Sequence, residues 1–211
     1  MSRKEGEIGI LAYGSLIDSP GQELEEIIIG RVKTKTPFNV EYKRKSSKRD
    51  DAPTLIPVEV GGCPVDATIL IIKEWICIKD VKSILYRRET YSSDKSKIYR
   101  ESDVFSINRI AIINLPSFQN IDLVIYTSIG QNLTEPVTPS VLANLAIGYI
   151  LGKSGDNELD GIHYLNSAIK NGVITPLTTS YVKEILDRSK TSCLADAIIF
   201  FDNIRNGYKV V

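Results

Sequence analysis

The run Ile8-Gly9-Ile10-Leu11-Ala12 has no polar face, and it stops at Tyr13-Gly14-Ser15-Leu16. A short apolar run bounded by glycine reads as a buried strand, so the chain must cover it. Gly14 supplies the backbone freedom that turns the chain and lets a ligand come close. Consecutive N–H groups in such a loop can form a concavity for a carboxylate or phosphate. Two readings stand side by side: an ordinary turn after a first strand, or an anion cradle at the mouth of a core strand.

Further strand signals follow. Ile27-Ile28-Ile29 is β-branched and continues through Lys33, and Thr36 to Lys43 alternates loosely. Arg44 to Asp51 is polar throughout and reads as a solvated loop in preference to a basic rim, since Asp50 and Asp51 partly cancel its charge. Pro53 to Val60, the turn Gly61-Gly62-Cys63-Pro64 and the return Val65 to Lys73 predict a β-hairpin, with Pro57 marking an edge or bulge. In Asp18-Ser19-Pro20-Gly21, Ser19 and Pro20 have the residue types of a helix cap and first position.

The period then changes. Ile78, Val81, Ile84, Leu85 and Arg88 recur at helical spacing, which predicts a helix over 78–90. Glu89 lies one turn after Leu85, close to the apolar face. It is either a surface carboxylate paired with Arg87 or Arg88, or one aimed into a pocket. Ser92 to Asp103 is polar loop, and Phe105 to Asn114 and Ile121 to Ile129 read as two more strands, with Tyr126 near the end of the second.

From Thr134 the strand signals stop. Helices are predicted over 138–151, 156–168, 178–188 and 194–203, from cap residues such as Thr138-Pro139 and stops such as Asn171-Gly172. Leu142, Leu145, Ile150, Leu165, Ile169 and Ile185 form their apolar faces. The expected division is a strand-rich domain over 1–133 and a helical extension over 134–211.

Charge and cysteine usage narrow the function classes. Lys+Arg 26 balances Asp+Glu 26, so no net field favours nucleic acid or an anionic membrane. Cys63, Cys77 and Cys193 are scattered and odd in number, which argues against a disulfide framework and a Cys-rich metal site. No apolar run is long enough to span a bilayer, and the charged Met1 to Glu7 precedes too brief an apolar run for a signal peptide. A cytoplasmic location is the expectation. His163 is the only histidine, so a Ser-His or Cys-His dyad would need it. It reads instead as a packing or surface residue.

Taken together, Tyr13-Gly14-Ser15-Leu16, the segment Pro53-Thr54-Leu55-Ile56-Pro57-Val58 with Gly61 and Val65, and Leu85-Tyr86-Arg87-Arg88-Glu89-Thr90-Tyr91 resemble the γ-glutamylcyclotransferase-like superfamily. The resemblance covers roughly Glu7 to Ile129. Tyr86 stands where that family often has an aspartate, and no glycine precedes Tyr91. The resemblance implies an α+β fold: a small mixed or antiparallel β-barrel, one helix carrying Glu89, and here a C-terminal helical extension. It implies Glu89 as catalytic base and Tyr13, Gly14, Ser15, Leu16 and Tyr126 as substrate-binding residues. The implied substrate is a small γ-glutamyl compound, cyclised to 5-oxoproline with release of an amine or amino acid.

One general base suffices for that reaction, so neither metal nor cofactor is expected. A free glutamate at about 4.3 is a poor base, and burial is expected to raise it. The loop N–H groups would hold the substrate's carboxylate and steady the carbonyl as charge develops. The alternative function is a non-catalytic module that binds a small ligand or a protein on the same fold. The sequence leaves the oligomeric state open.

Overall fold

The computed structural model describes residues 6–49, 51–102, 106–134, 136–152 and 159–208. The predicted starts at Phe105 and Asp156, the charged residues up to 5, and Asp50 lie outside them. The fold is mixed α+β, with a five-stranded sheet, a two-stranded sheet and helices. The chain divides into two compact units.

The first unit comprises Met1–Thr36 and Asp66–Gly130. It contains β1 (Ile8–Ala12), α1 (Ser15–Asp18), α2 (Gln22–Glu25), β2 (Ile28–Lys35), β5 (Asp66–Ile72), α3 (Ile78–Glu89), β6 (Ala111–Phe118) and β7 (Ile121–Ser128), while β3 (Asn39–Ser46) and β4 (Ala52–Val58) fall in the other unit. The sheet order is β2-β5-β1-β7-β6. All five residues of β1 are buried, as their composition requires. β1 runs antiparallel to β5 (Gly9 opposite Ile71) and parallel to β7 (Ile10 opposite Ile125). Its C-terminal end therefore lies at the same end of the sheet as that of β7.

The helix α3 covers this sheet. Val81 and Leu85, four residues apart, are fully buried in a core with Ile10, Leu16, Leu24, Leu70 and Ile125. Burying one such side chain contributes about 1.5–3 kcal/mol. Ile78 and Ile84 pack against that core from its margin. The helix ends in a Schellman closure: Ser92 N donates to Arg87 O at 2.9 Å and Tyr91 N to Arg88 O at 3.1 Å. Tyr91 occupies the left-handed position, φ 52°, where glycine is usual.

The second unit comprises Pro37–Val65 and Gln131–Val211. It contains β3 (Asn39–Ser46), β4 (Ala52–Val58), α4 (Pro139–Ile150), α5 (Gly161–Lys170), α6 (Thr178–Ser189) and α7 (Leu194–Arg205). β3 and β4 pair antiparallel, with a 3-10 turn at Ser47–Arg49 between them. Leu142, Ile150, Leu165 and Ile185 are fully buried, while Leu145 and Ile169 are half-buried. Tyr164 on α5 accepts a hydrogen bond from Leu55 N on β4 at 3.3 Å, so a helix side chain satisfies a backbone N–H of the strand.

Several expectations are corrected. The predicted hairpin of 53–60 with 65–73 does not form. β4 pairs with β3, and β5 lies between β2 and β1. The Gly61-Gly62 turn does exist, but it leads Cys63 to Val40 on β3, with Val40 N donating to Cys63 O at 2.9 Å. A Cβ at Gly62 would lie 2.5 Å from Val40 O, so only glycine fits that approach. The reason β5 leaves β4 is its composition. Ile69 to Ile72 are buried without alternation and need cover on both faces and strands on both sides. The polar stretch from Arg44 is not all loop, since β3 runs through Ser46. Ser19 ends α1, and Gly21 rather than Ser19 precedes α2. The units also divide the chain differently from 1–133 and 134–211, because the β3–β4 pair falls with the helices. The five-stranded sheet has β2 and β6 at its ends, and no closed barrel is formed among the described residues.

Candidate functional site

The site assembles where β1 ends. Gly14 has φ 62° and ψ −138°, a conformation that glycine adopts without the strain a side chain would bring. The β1 registers reach Ala12 opposite Thr68 and Ile10 opposite Ile125, so Gly14, Ser15 and Leu16 lie beyond the ladders. The next turn closes with Ile17 N donating to Gly14 O at 3.2 Å. The N–H groups of a first turn have no partners within their own helix. Leu16 turns its side chain into the core, leaving its backbone as its contribution here.

Arg88 joins this loop to Glu89. Its Nη2 donates to Ser15 Oγ at 3.3 Å and to Ser19 O at 2.8 Å, and its Nε donates to Ser19 O at 3.2 Å. Its Nη1 donates to Glu89 Oε1 at 2.7 Å. The Glu89 side chain is 22% exposed, so it is neither a free surface group nor sealed in the core. The surface-pair reading of Glu89 named Arg87 or Arg88, and Arg88 is the partner.

Arg87 does something else. It is buried, and it grips Glu23 on α2 with Nη2 to Oε2 at 2.6 Å and Nε to Oε1 at 3.1 Å. Its Nη1 donates to Lys97 O at 3.0 Å. This fork holds α2, the end of α3 and the following loop together. It lowers the Glu23 carboxyl below its ordinary value, chiefly through the hydrogen bonds from Arg87. Nothing local in the sequence announces this pair, whose members stand 64 positions apart.

Tyr13 and Tyr126 are placed by strand register. Tyr13 Oη donates to Thr127 O at 3.4 Å, tying the loop after β1 to the end of β7. Tyr126 is the residue before Thr127, opposite Ile113 on β6, and burial pushes its phenol up. Thus Ser15 and Glu89 are joined through Arg88, and Tyr13 and Tyr126 belong to the same sheet end.

In the second unit, His163 is more than a packing residue. Its Nδ1 lies 2.6 Å from Oδ2 of the fully buried Asp160. Asp160 Oδ1 accepts from Ile162 N at 2.8 Å and His163 N at 3.0 Å, capping α5. An Asp three residues ahead of a helical His was the signal for this cap.

Among the described residues, no group of three or more His, Cys, Asp or Glu is arranged to hold a metal ion. No described helix is long and apolar enough to cross a membrane. No protein-family model matches the chain, and no curated protein matches it.

Proposed function

We propose that this protein is a γ-glutamylcyclotransferase-like enzyme, acting on a small γ-glutamyl compound with Glu89 as general base. One observation carries this reading: a single guanidinium, that of Arg88, links Ser15 in the loop after β1 to the carboxylate of Glu89 at the end of α3. Loop and carboxylate are the two parts the reaction needs side by side. In the same reading, the five-stranded sheet takes the place of the family's barrel while staying open between β2 and β6 among the described residues.

Glu89 takes a proton from the substrate's α-ammonium. The freed amine attacks the γ-carbonyl carbon, forming the ring N–C bond. The bond from that carbon to the departing nitrogen then breaks as Glu89 returns its proton to that nitrogen, and the ring nitrogen gives up its second proton to the released amine, which leaves as an ammonium. Products are 5-oxoproline and the free amine or amino acid. The backbone of Gly14, Ser15 and Leu16 receives the substrate's carboxylate and the developing oxyanion. Holding both ends of one molecule supplies orientation, the largest gain in an intramolecular reaction. Neither a metal nor a cofactor has a step in this scheme, and a cytoplasmic enzyme is the setting proposed.

A second reading, a non-catalytic binding module, is favoured by one fact: Arg88 already occupies Glu89 Oε1. The two readings separate on incubation with a panel of γ-glutamyl amines and dipeptides. Release of 5-oxoproline, followed by mass spectrometry and lost in Glu89→Gln, is the expected result. Binding without release, equal in wild type and variant, would establish the module instead.

A further inference from the structure

The first unit holds a cleft of about 480 Å³ that includes neither Glu89 nor the loop after β1. That volume falls in the range of small-molecule sites, about 300–1,000 Å³. Tyr86 of α3 and Tyr99 form one wall, their ring centroids 5.6 Å apart at 60°. Tyr99 is fixed from both ends, accepting from Ile112 N at 3.0 Å through its hydroxyl and donating its own N–H to Ser83 Oγ at 3.2 Å. Ile98 and Ile110 extend the apolar surface.

The remaining lining is polar and of one sign: Arg100 and Arg109, with Ser106 and Asn108. Arg109 Nη2 donates to Arg100 O at 3.0 Å, which brings the two segments together. Among the described residues no carboxylate lines the cleft. Glu101, next to Arg100 in sequence, is taken by Lys82 at 2.6 Å. Neither Arg100 nor Arg109 has an ion-pair partner among the described residues. A cleft with two guanidinium groups, two hydrogen-bonding side chains and an aromatic wall has a definite chemical complement.

We infer that this cleft binds a small molecule with a planar apolar body and one anionic group. The ring packs on Tyr86 and Tyr99, and the anion takes the N–H forks of Arg100 and Arg109. Guanidinium forks suit carboxylate and phosphate alike. The inference does not depend on Glu89 acting as a base.

The test uses the full chain, labelled with nitrogen-15, titrated separately with phenyl phosphate, phenylacetate, benzylamine and inorganic phosphate. The two aromatic anions should shift the backbone signals of residues 98–100 and 106–110, and the tighter of the two identifies the anion class. Benzylamine should not bind, and inorganic phosphate should bind more weakly than phenyl phosphate. Arg100→Gln should weaken the aromatic anion roughly tenfold, the effect of losing one charged hydrogen bond. Because Arg109 also holds backbone, Asn108→Asp is the second variant. It leaves both arginines in place, adds a competing carboxylate, and should weaken binding to a similar degree, with the unliganded spectrum outside residues 106–110 confirming the fold. Failure of both aromatic anions to bind, equal binding of benzylamine, equal binding of inorganic phosphate, or indifference to both substitutions would overturn the inference.

Discussion

The hydroxyl of Ser15 and the carboxylate of Glu89 accept from the same guanidinium, that of Arg88, at 3.3 and 2.7 Å. They lie on different elements, α1 and α3, so Arg88 sets their spacing. Under the proposed function, Arg88→Gln should therefore lower turnover as well as stability. We expect a loss of roughly 100-fold in kcat/KM, the scale of a misplaced catalytic group. The stability cost should be about 1–3 kcal/mol, for hydrogen bonds made by a charged, partly buried group. Unchanged turnover would show that Arg88 positions nothing the reaction uses.

Glu89→Gln keeps size and shape but removes the basic oxygen. Loss of a positioned general base typically costs ~10²–10⁴-fold in rate. Substrate affinity should persist, because Ser15 and the loop backbone are untouched. Release of 5-oxoproline at the wild-type rate would place the base elsewhere.

The Arg87–Glu23 fork predicts a pH-dependent stability. Arg87 lowers the Glu23 carboxyl from its ordinary 4.5. A carboxylate favoured in the folded state stabilises it above the unfolded value, and that contribution fades as pH falls through the folded one. Arg87→Gln should cost about 2 kcal/mol at pH 7, between the ~0–1 of an exposed pair and the ~3–5 of a broken buried one. In urea unfolding, wild type and variant should converge as pH drops below 4.5. A gap that stayed constant down to pH 2 would assign the loss to packing.

At the alkaline end the buried phenols take over. Tyr42 and Tyr181 are fully buried with rings 5.4 Å apart, and burial pushes both phenols well above the ordinary 10.0. A phenol that stays neutral in the fold supports it below pH 10, and the support is lost as pH rises beyond that value. Tyr181→Phe should thus move the alkaline unfolding transition to higher pH, as read by circular dichroism. Tyr181 Oη has no hydrogen-bond partner among the described residues, so the same variant should cost little at pH 7.

Tyr91 holds a left-handed position at φ 52° where glycine carries no Cβ penalty. It is exposed, so little packing is lost on truncation. Tyr91→Gly should raise stability by about 0.5–1 kcal/mol and leave α3 ending after Glu89. A lower denaturation midpoint would mean that the Tyr91 ring contributes more than its backbone costs.

What could be read from the chain was whatever each segment's own pattern dictates. The unbroken apolar run of β1 required burial, and Val81 and Leu85 at helical spacing required a helix with one buried face. Thr138-Pro139 announced the start of α4. The turn at Gly61-Gly62 was also legible from its glycines, while the strand it leads to, at Val40, was not. The places of Gly14 and Ser15 after β1 and of Glu89 at the end of α3 were legible, because residue type and position on an element are local properties.

The tertiary structure decided which elements meet. β4 and β5 are adjacent in sequence with a glycine turn between them, yet they join different sheets. A strand pairs with whatever completes its burial, and β5 required two strand neighbours where a hairpin offers one. Likewise, Arg87 and Arg88 are neighbours with the same chemistry and opposite tasks. Successive helical residues point about 100° apart. Arg87 thereby reaches Glu23 and Lys97 while Arg88 reaches Ser15 and Glu89. Glu89 is the neighbour of Arg88 and a legible pairing candidate, whereas Glu23 and Ser15 come from distant segments that no local pattern encodes.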